Sequence, residues 1–143
     1  MKEANDEGFT FIETIMAIAI ILILSAGVGF SAAKYVEAAR VASARNQIAA
    51  YKLALESYYL ECGSYPSREQ GLAALWEKPS LSPVPAGWAG PYVDGEIAAD
   101  PWGRPFRYEA PGKKGLPFTI QSYGADGSDG GEGYDADIVS WKR

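Results

Sequence analysis

The chain has 143 residues, a formal net charge of −5, no histidine and one cysteine, Cys62. That length accommodates one small domain plus one further helical segment. The acidic balance offers no basic surface for nucleic acid. Without histidine there is no Ser-His-Asp or Cys-His pair, and a lone cysteine supplies neither a disulfide framework nor a thiolate zinc site.

Met1 to Gly8 is short and polar, with Lys2 set against Glu3, Asp6 and Glu7. From Thr14 to Ala33 no residue is charged. A helix rises about 1.5 Å per residue, so a run of this length crosses roughly 30 Å of hydrocarbon. No proline precedes Pro66, and the pattern predicts one continuous helix from Phe9 to about Cys62. Phe9–Ala33 reads as its membrane-spanning half and Lys34–Cys62 as its amphipathic half. Glu13 is the anomaly, because an acid beside an apolar run is costly and is usually kept with a partner. Gly27 and Gly29 each weaken the helix by about 1 kcal/mol relative to alanine. Either the helix unwinds there, or small residues allow another helix to approach closely. Lys34, Arg40 and Arg45 follow the run, and on charge alone they favour the cytoplasm for their side.

In the second half Val41, Ala44, Ile48, Tyr51, Leu55 and Tyr58 recur at three- and four-residue steps. This is one apolar stripe on a helix, continued by Cys62, and it predicts packing on the chain's own sheet. Cys62 reads as a small, partly buried residue. Gly63-Ser64-Tyr65-Pro66 ends the helix. Ser67 and Gln70 have the spacing of a capping box, and Leu72, Leu75 and Trp76 give the apolar face of a short helix that Pro79 stops. Pro79–Pro101 reads as an irregular loop held down by Trp88 and Tyr92. Asp100-Pro101-Trp102-Gly103-Arg104-Pro105 is a tight turn with an aromatic anchor. Phe106–Glu109 and Phe118–Tyr123 alternate around the Pro111–Gly115 turn and predict a hairpin; Asp137–Trp141 adds a third antiparallel strand. The fold class is α+β: a long N-terminal helix and a small head, Gly63–Arg143, with a short helix and a three-stranded sheet.

Between the last two strands stand Asp126, Asp129, Glu132, Asp135 and Asp137, interleaved with glycine. Hard oxygen ligands on a loop that turns freely suit Ca²⁺, which takes 6–8 oxygens at about 2.3–2.6 Å. No nitrogen or sulfur ligand is present for zinc or copper. A solvated acidic loop is the competing reading. Like charges at this density repel unless a cation is near.

Gly8-Phe9-Thr10-Phe11-Ile12-Glu13 before a long apolar helix resembles the class III signal of type IV pilins and type II secretion pseudopilins. Tyr65–Leu75 (YPSREQGLAAL), DPWG at Asp100–Gly103 and GADG…DADI at Gly124–Ile138 narrow the resemblance to the major pseudopilins. The family implies cleavage after Gly8 by a prepilin peptidase and N-methylation of Phe9. It implies that Glu13 pairs with the amine of a neighbouring subunit. It implies structural Ca²⁺ in the C-terminal loop. By motif Asp126, Asp135 and Asp137 are the best carboxylate ligands, with Ser128 and the Tyr123 carbonyl as additions. Asp129 and Glu132 come after these, and the choice between Asp135 and Asp137 stays open.

The implied role is a non-enzymatic subunit of the pseudopilus, held in the bacterial inner membrane with its head in the periplasm. The implied partners are further copies of itself, minor pseudopilins, the prepilin peptidase, the inner-membrane assembly platform and the lipid bilayer. Three other readings are compatible with parts of the chain. They are a type IV pilin-like subunit, a membrane-anchored calcium-binding domain that never polymerises, and a secreted protein whose first 33 residues are a discarded signal. The absence of paired C-terminal cysteines and the presence of the three head motifs stand against the pilin.

Overall fold

The computed structural model describes residues 9–142, except the side chains of 26–31. The leader, Gly8 included, lies outside the described residues. The chain divides between Val36 and Glu37 into two units. Helix α1, Phe11–Cys62, contributes to both and is continuous through positions 27 and 29.

In the first unit the helix start is built by Thr10 and Glu13. The Glu13 N–H donates to Thr10 Oγ1 at 3.3 Å, and Glu13 Oε2 accepts from the Thr10 N–H at 3.3 Å. This reciprocal capping box satisfies two helix-terminal groups that have no partner within the helix. The apolar side chains beyond it, including Ile15, Met16, Ile21 and Leu24, are exposed. Among the described residues no helix is long and apolar enough to cross a membrane. The uncharged run Thr14–Ala33 includes 26–31, so the run as a whole lies partly outside them.

The second unit is organised by the stripe read from the sequence. Ala44, Ile48, Tyr51, Leu55 and Tyr58 are buried, with Val41 and Cys62 packed at its two ends. The same core includes Phe106, Tyr108, Phe118, Ile120 and Ile138 from the sheet side. Tyr51 meets Phe106 edge-on, ring centroids 5.6 Å apart, a favoured aromatic geometry.

The sheet is a meander in the order β1-β2-β3: Arg107–Glu109, Thr119–Ser122 and Ile138–Val139. Both pairings are antiparallel, with Tyr108 opposite Ile120 and Ser122 opposite Ile138. Each strand is shorter than its alternating sequence. Pro105 and Pro117, which lack an N–H, stand directly before Phe106 and Phe118, the residues by which β1 and β2 start late. At β3 the ladder stops because the Ile120 N–H donates to the Ser140 hydroxyl, 2.9 Å, where a strand partner would offer a carbonyl.

The expected short helix is a single 3₁₀ turn, Leu72–Leu75. The capping box forms: the Ser67 N–H donates to Gln70 Oε1 at 2.9 Å and the Gln70 N–H to Ser67 Oγ at 3.2 Å. It closes a turn, however, because Gly71 follows at φ +61° and breaks the helical path. Gln70 then holds the long loop, donating to the carbonyls of Leu81 (2.7 Å) and Pro83 (2.9 Å). Trp88 Nε1 donates to the Ala74 carbonyl at 2.9 Å, and the Tyr92 hydroxyl donates to Glu61 at 2.5 Å. The two aromatics anchor the loop as the sequence suggests.

Two core phenols set a pH limit. Burial, reinforced by Cys62, pushes Tyr58 up from 10.0 to about 12. Tyr108, whose hydroxyl donates to the Pro66 carbonyl at 2.9 Å, is also raised, chiefly by burial. A raised phenol favours the neutral form in the folded state. Its contribution is complete below the unfolded value and is lost as pH rises through the folded one. The thermal midpoint of the second unit, followed by tryptophan fluorescence, is therefore expected to hold steady to about pH 9 and to fall between about pH 10 and 12. A midpoint that stays flat across that window would remove the assignment.

Candidate functional site

The acidic loop between β2 and β3 is held by three side chains before its own carboxylates are reached. Asp100 is buried, 4% exposed. Its Oδ1 accepts the N–H groups of Trp102 (3.1 Å) and Arg104 (2.8 Å), and its Oδ2 accepts the Ser122 hydroxyl at 2.6 Å. One carboxylate thus closes the Asp100–Arg104 turn and ties it to the last residue of β2. Trp102 Nε1 donates to Glu37 on α1 at 3.1 Å.

Arg104 is the second anchor. Its Nη2 donates to the carbonyls of Gly124 and, at 3.1 Å, Ala125. Gln121, on β2 and buried, is the third. Its Nε2 donates to Asp129 Oδ1 (3.1 Å) and Asp137 Oδ2 (2.9 Å), while its Oε1 accepts from Lys113 Nζ at 3.1 Å. The arms of the loop cross at Gly124. It has φ +64°, and a Cβ there would stand 2.8 Å from the Ala136 carbonyl oxygen. Only glycine fits that approach.

The candidate ligands are distributed around this frame. Asp137 and Asp129 meet at the Gln121 amide, and Asp137 Oδ2 also accepts the Gly130 N–H at 3.0 Å. Asp126 is exposed, its Oδ1 accepting the Ser128 N–H at 3.0 Å in a local turn. Asp135 is exposed, and its N–H donates to the Glu132 carbonyl at 3.2 Å. The Tyr123 hydroxyl accepts from Arg107 Nη1 at 2.6 Å. Among the described residues no three acidic side chains are gathered around one point.

Asp137 Oδ1 is buried without a hydrogen-bond partner. A buried carboxylate oxygen left unpaired is costly. This orphaned oxygen, in a set of donors made only of oxygen, fits a hard cation such as Ca²⁺ and does not fit a soft one.

The other candidate region is the helix start. Phe9 is 84% exposed, and Glu13 is exposed with its carboxylate folded onto Thr10.

Residues 32–141 match the family model for type II secretion system protein G, and residues 4–29 match the prokaryotic N-terminal methylation motif. The chain belongs to the type II secretion system protein G family. It is 41% identical over 141 residues to type II secretion system core protein G of Pseudomonas aeruginosa, covering 99% of each chain. It is 37% identical to the core protein G of Vibrio cholerae, covering 98% of this chain and 94% of that one. The crystal structure of the major pseudopilin from the type 2 secretion system of enterohaemorrhagic Escherichia coli matches with a TM-score of 0.62 at 32% identity. That match covers 72% of this chain and 87% of the other. The family resemblance carried by the leader and the three head motifs is borne out. The chain is a major pseudopilin, a structural component of type II secretion.

Three residues of the framework, Asp100, Arg104 and Gln121, escape a reading by motif. Thr10 was legible, since Thr-x-x-Glu is a capping signature. Asp100 and Arg104 read as parts of a turn, and nothing local says that their side chains reach β2 and the acidic loop. Gln121 reads as an ordinary strand residue.

Asp100→Ala leaves two backbone N–H groups and a buried hydroxyl without their acceptor. It is expected to lower the unfolding free energy by about 2–4 kcal/mol, measured by denaturant titration. Asp100→Asn, which keeps one oxygen for the backbone donors, is expected to lose less. A loss below about 1 kcal/mol for the alanine variant would show that the turn holds without this carboxylate.

Proposed function

We propose that this chain is the major subunit of a pseudopilus that polymerises from the inner membrane, with its second unit in the periplasm. The carrying observation is the exposed apolar surface from Phe11 to Leu24, with Glu13 the one acid in it. Such a surface calls for a cover. Lipid supplies it before assembly, and other copies of the helix supply it afterwards.

Cleavage of the Gly8–Phe9 peptide bond by a prepilin peptidase would free an amine on Phe9, which is then methylated. The Glu13 carboxylate of a neighbouring copy neutralises that cation. Each charge is unfavourably placed alone beside hydrocarbon, so their pairing favours one axial register between copies. In doing so Glu13 gives up its bonds to Thr10, which hold the carboxylate near the helix end until a partner arrives. Growth of the filament, on an inner-membrane assembly platform and together with minor pseudopilins, moves folded cargo outward. The role is mechanical and needs no catalytic group.

The acidic loop is the cation site in this reading. Asp137, with its unpartnered Oδ1, is the first ligand, and Asp126 and Asp135 can join it from the exposed side of the loop. Ser128 and the Tyr123 carbonyl are the further candidates. Bound Ca²⁺ would neutralise the carboxylates and tie the two arms together. Gln121 orients Asp137, and Asp100 fixes the strand end from which the loop departs.

Two measurements test the reading. Mass spectrometry of the N-terminal peptide from native membranes is expected to give a chain starting at N-methyl Phe9. Glu13→Ala should be processed in the same way but yield at least about tenfold less sheared filament, the scale of losing about 1.4 kcal/mol per added subunit. Normal filament yield would end this account of Glu13. For the loop, titration calorimetry should show calcium binding to the wild-type chain, abolished in Asp137→Ala. Equal binding in both would move the site elsewhere.

A further inference from the structure

Arg104 carries its guanidinium into the acidic loop from outside it. Its backbone is fixed on both sides by one residue: the Arg104 N–H donates to Asp100 Oδ1 at 2.8 Å, and its carbonyl accepts the Asp100 N–H at 2.7 Å. From this base Nη2 reaches the Gly124 and Ala125 carbonyls, the two residues that lead into Asp126. The other fork nitrogen, Nη1, lies against Gly127. A Cβ on that residue would stand 2.5 Å from it, and Gly127 has φ +73°. The Nε is buried without a partner. Arg104 therefore spends one fork nitrogen, Nη2, on two main-chain oxygens, the kind of ligand a hard cation also takes. It places a permanent positive charge beside a loop with five carboxylates.

We infer that Arg104 is a tethered cation that does part of a metal ion's work on this loop. It holds the entry arm, Gly124–Gly127, when no divalent ion is bound. Among the described residues no cation pairs with Asp135 or Asp137 on the exit arm, and Asp137 Oδ1 is the oxygen left over. The inference rests on the calcium reading proposed above and gives it a sign. A tethered charge that stands in for the metal also repels it, so Arg104 and calcium act against each other. Removing Arg104 destabilises the metal-free protein more than the calcium-loaded one. By reciprocity calcium then binds the variant more tightly. A side chain that merely shaped the site for the metal would give the opposite sign.

The test uses the full chain in detergent, with calcium as the only added metal. Thermal midpoints are recorded in chelator and in excess calcium, and calcium affinity is measured by titration calorimetry. For Arg104→Gln the expected result is a lower midpoint in chelator, a calcium-induced rise larger than in wild type, and affinity about fivefold tighter or more. Arg104→Lys keeps the charge and loses the fork, so it should change in the same directions by less. If Arg104→Gln does not fold in either condition, the lysine variant carries the test with the same signs. Weaker or unchanged calcium affinity in a folded variant, with wild-type binding intact, overturns the inference and leaves the calcium reading standing. No calcium binding by wild type overturns both.

Discussion

The second unit contains one long helical segment, the part of α1 from Glu37 to Cys62, and its core depends on that segment's stripe. A three-stranded sheet of two to four residues per strand has little to bury alone. It becomes stable by laying Phe106, Tyr108, Phe118, Ile120 and Ile138 against Ala44, Ile48, Tyr51, Leu55 and Tyr58. Leu55 and Ile120 are both at 0% exposure, one from each side of that core. The helix whose apolar side chains are exposed near its start thus serves as the core of the folded unit at its end. A change in the pitch or register of the stripe would reach the sheet, and through β2 the acidic loop.

The chain from core to loop is short and polar. Ser122 ends β2, its hydroxyl donates to Asp100, and Asp100 fixes the backbone of Arg104. On the neighbouring residue, Gln121, the amide gathers Asp129 and Asp137. Buried networks of this kind are stabilising when every member is satisfied and costly when one is not. Here the unsatisfied members, Asp137 Oδ1 and Arg104 Nε, are an anionic oxygen and a cationic nitrogen on the two sides of the loop. The loop is accordingly where charge, more than packing, decides the conformation.

Periodicity made the helix and its buried stripe legible, because a 3.6-residue repeat reports a face directly. Alternation located all three strands but overstated them. Prolines beside the hairpin and the Ser140 hydroxyl at β3 shorten a ladder in ways that hydropathy does not record. The capping box at Ser67 and Gln70 was legible as chemistry. Its outcome was not, since Gly71 turns what would be a helix into a turn followed by one 3₁₀ turn. The anchors of the acidic loop were hidden for a different reason. Asp100, Arg104 and Gln121 act across 8 to 22 positions of sequence, and such pairings come from topology. The leader and head motifs, by contrast, carried the family without any help from tertiary structure.

Lys52 Nζ donates to the Ser140 carbonyl at 3.0 Å across 88 positions of sequence. The helix is therefore translated well before the strands that cover it. At roughly 5–20 residues per second, the interval between the two sides of this contact is about 4–18 s. For that time the stripe from Val41 to Tyr58 lacks its complete sheet, because β1 and β2 are made before β3. Nascent apolar surface on this stripe needs shielding meanwhile, and the last part of its cover comes only when Ile138 arrives.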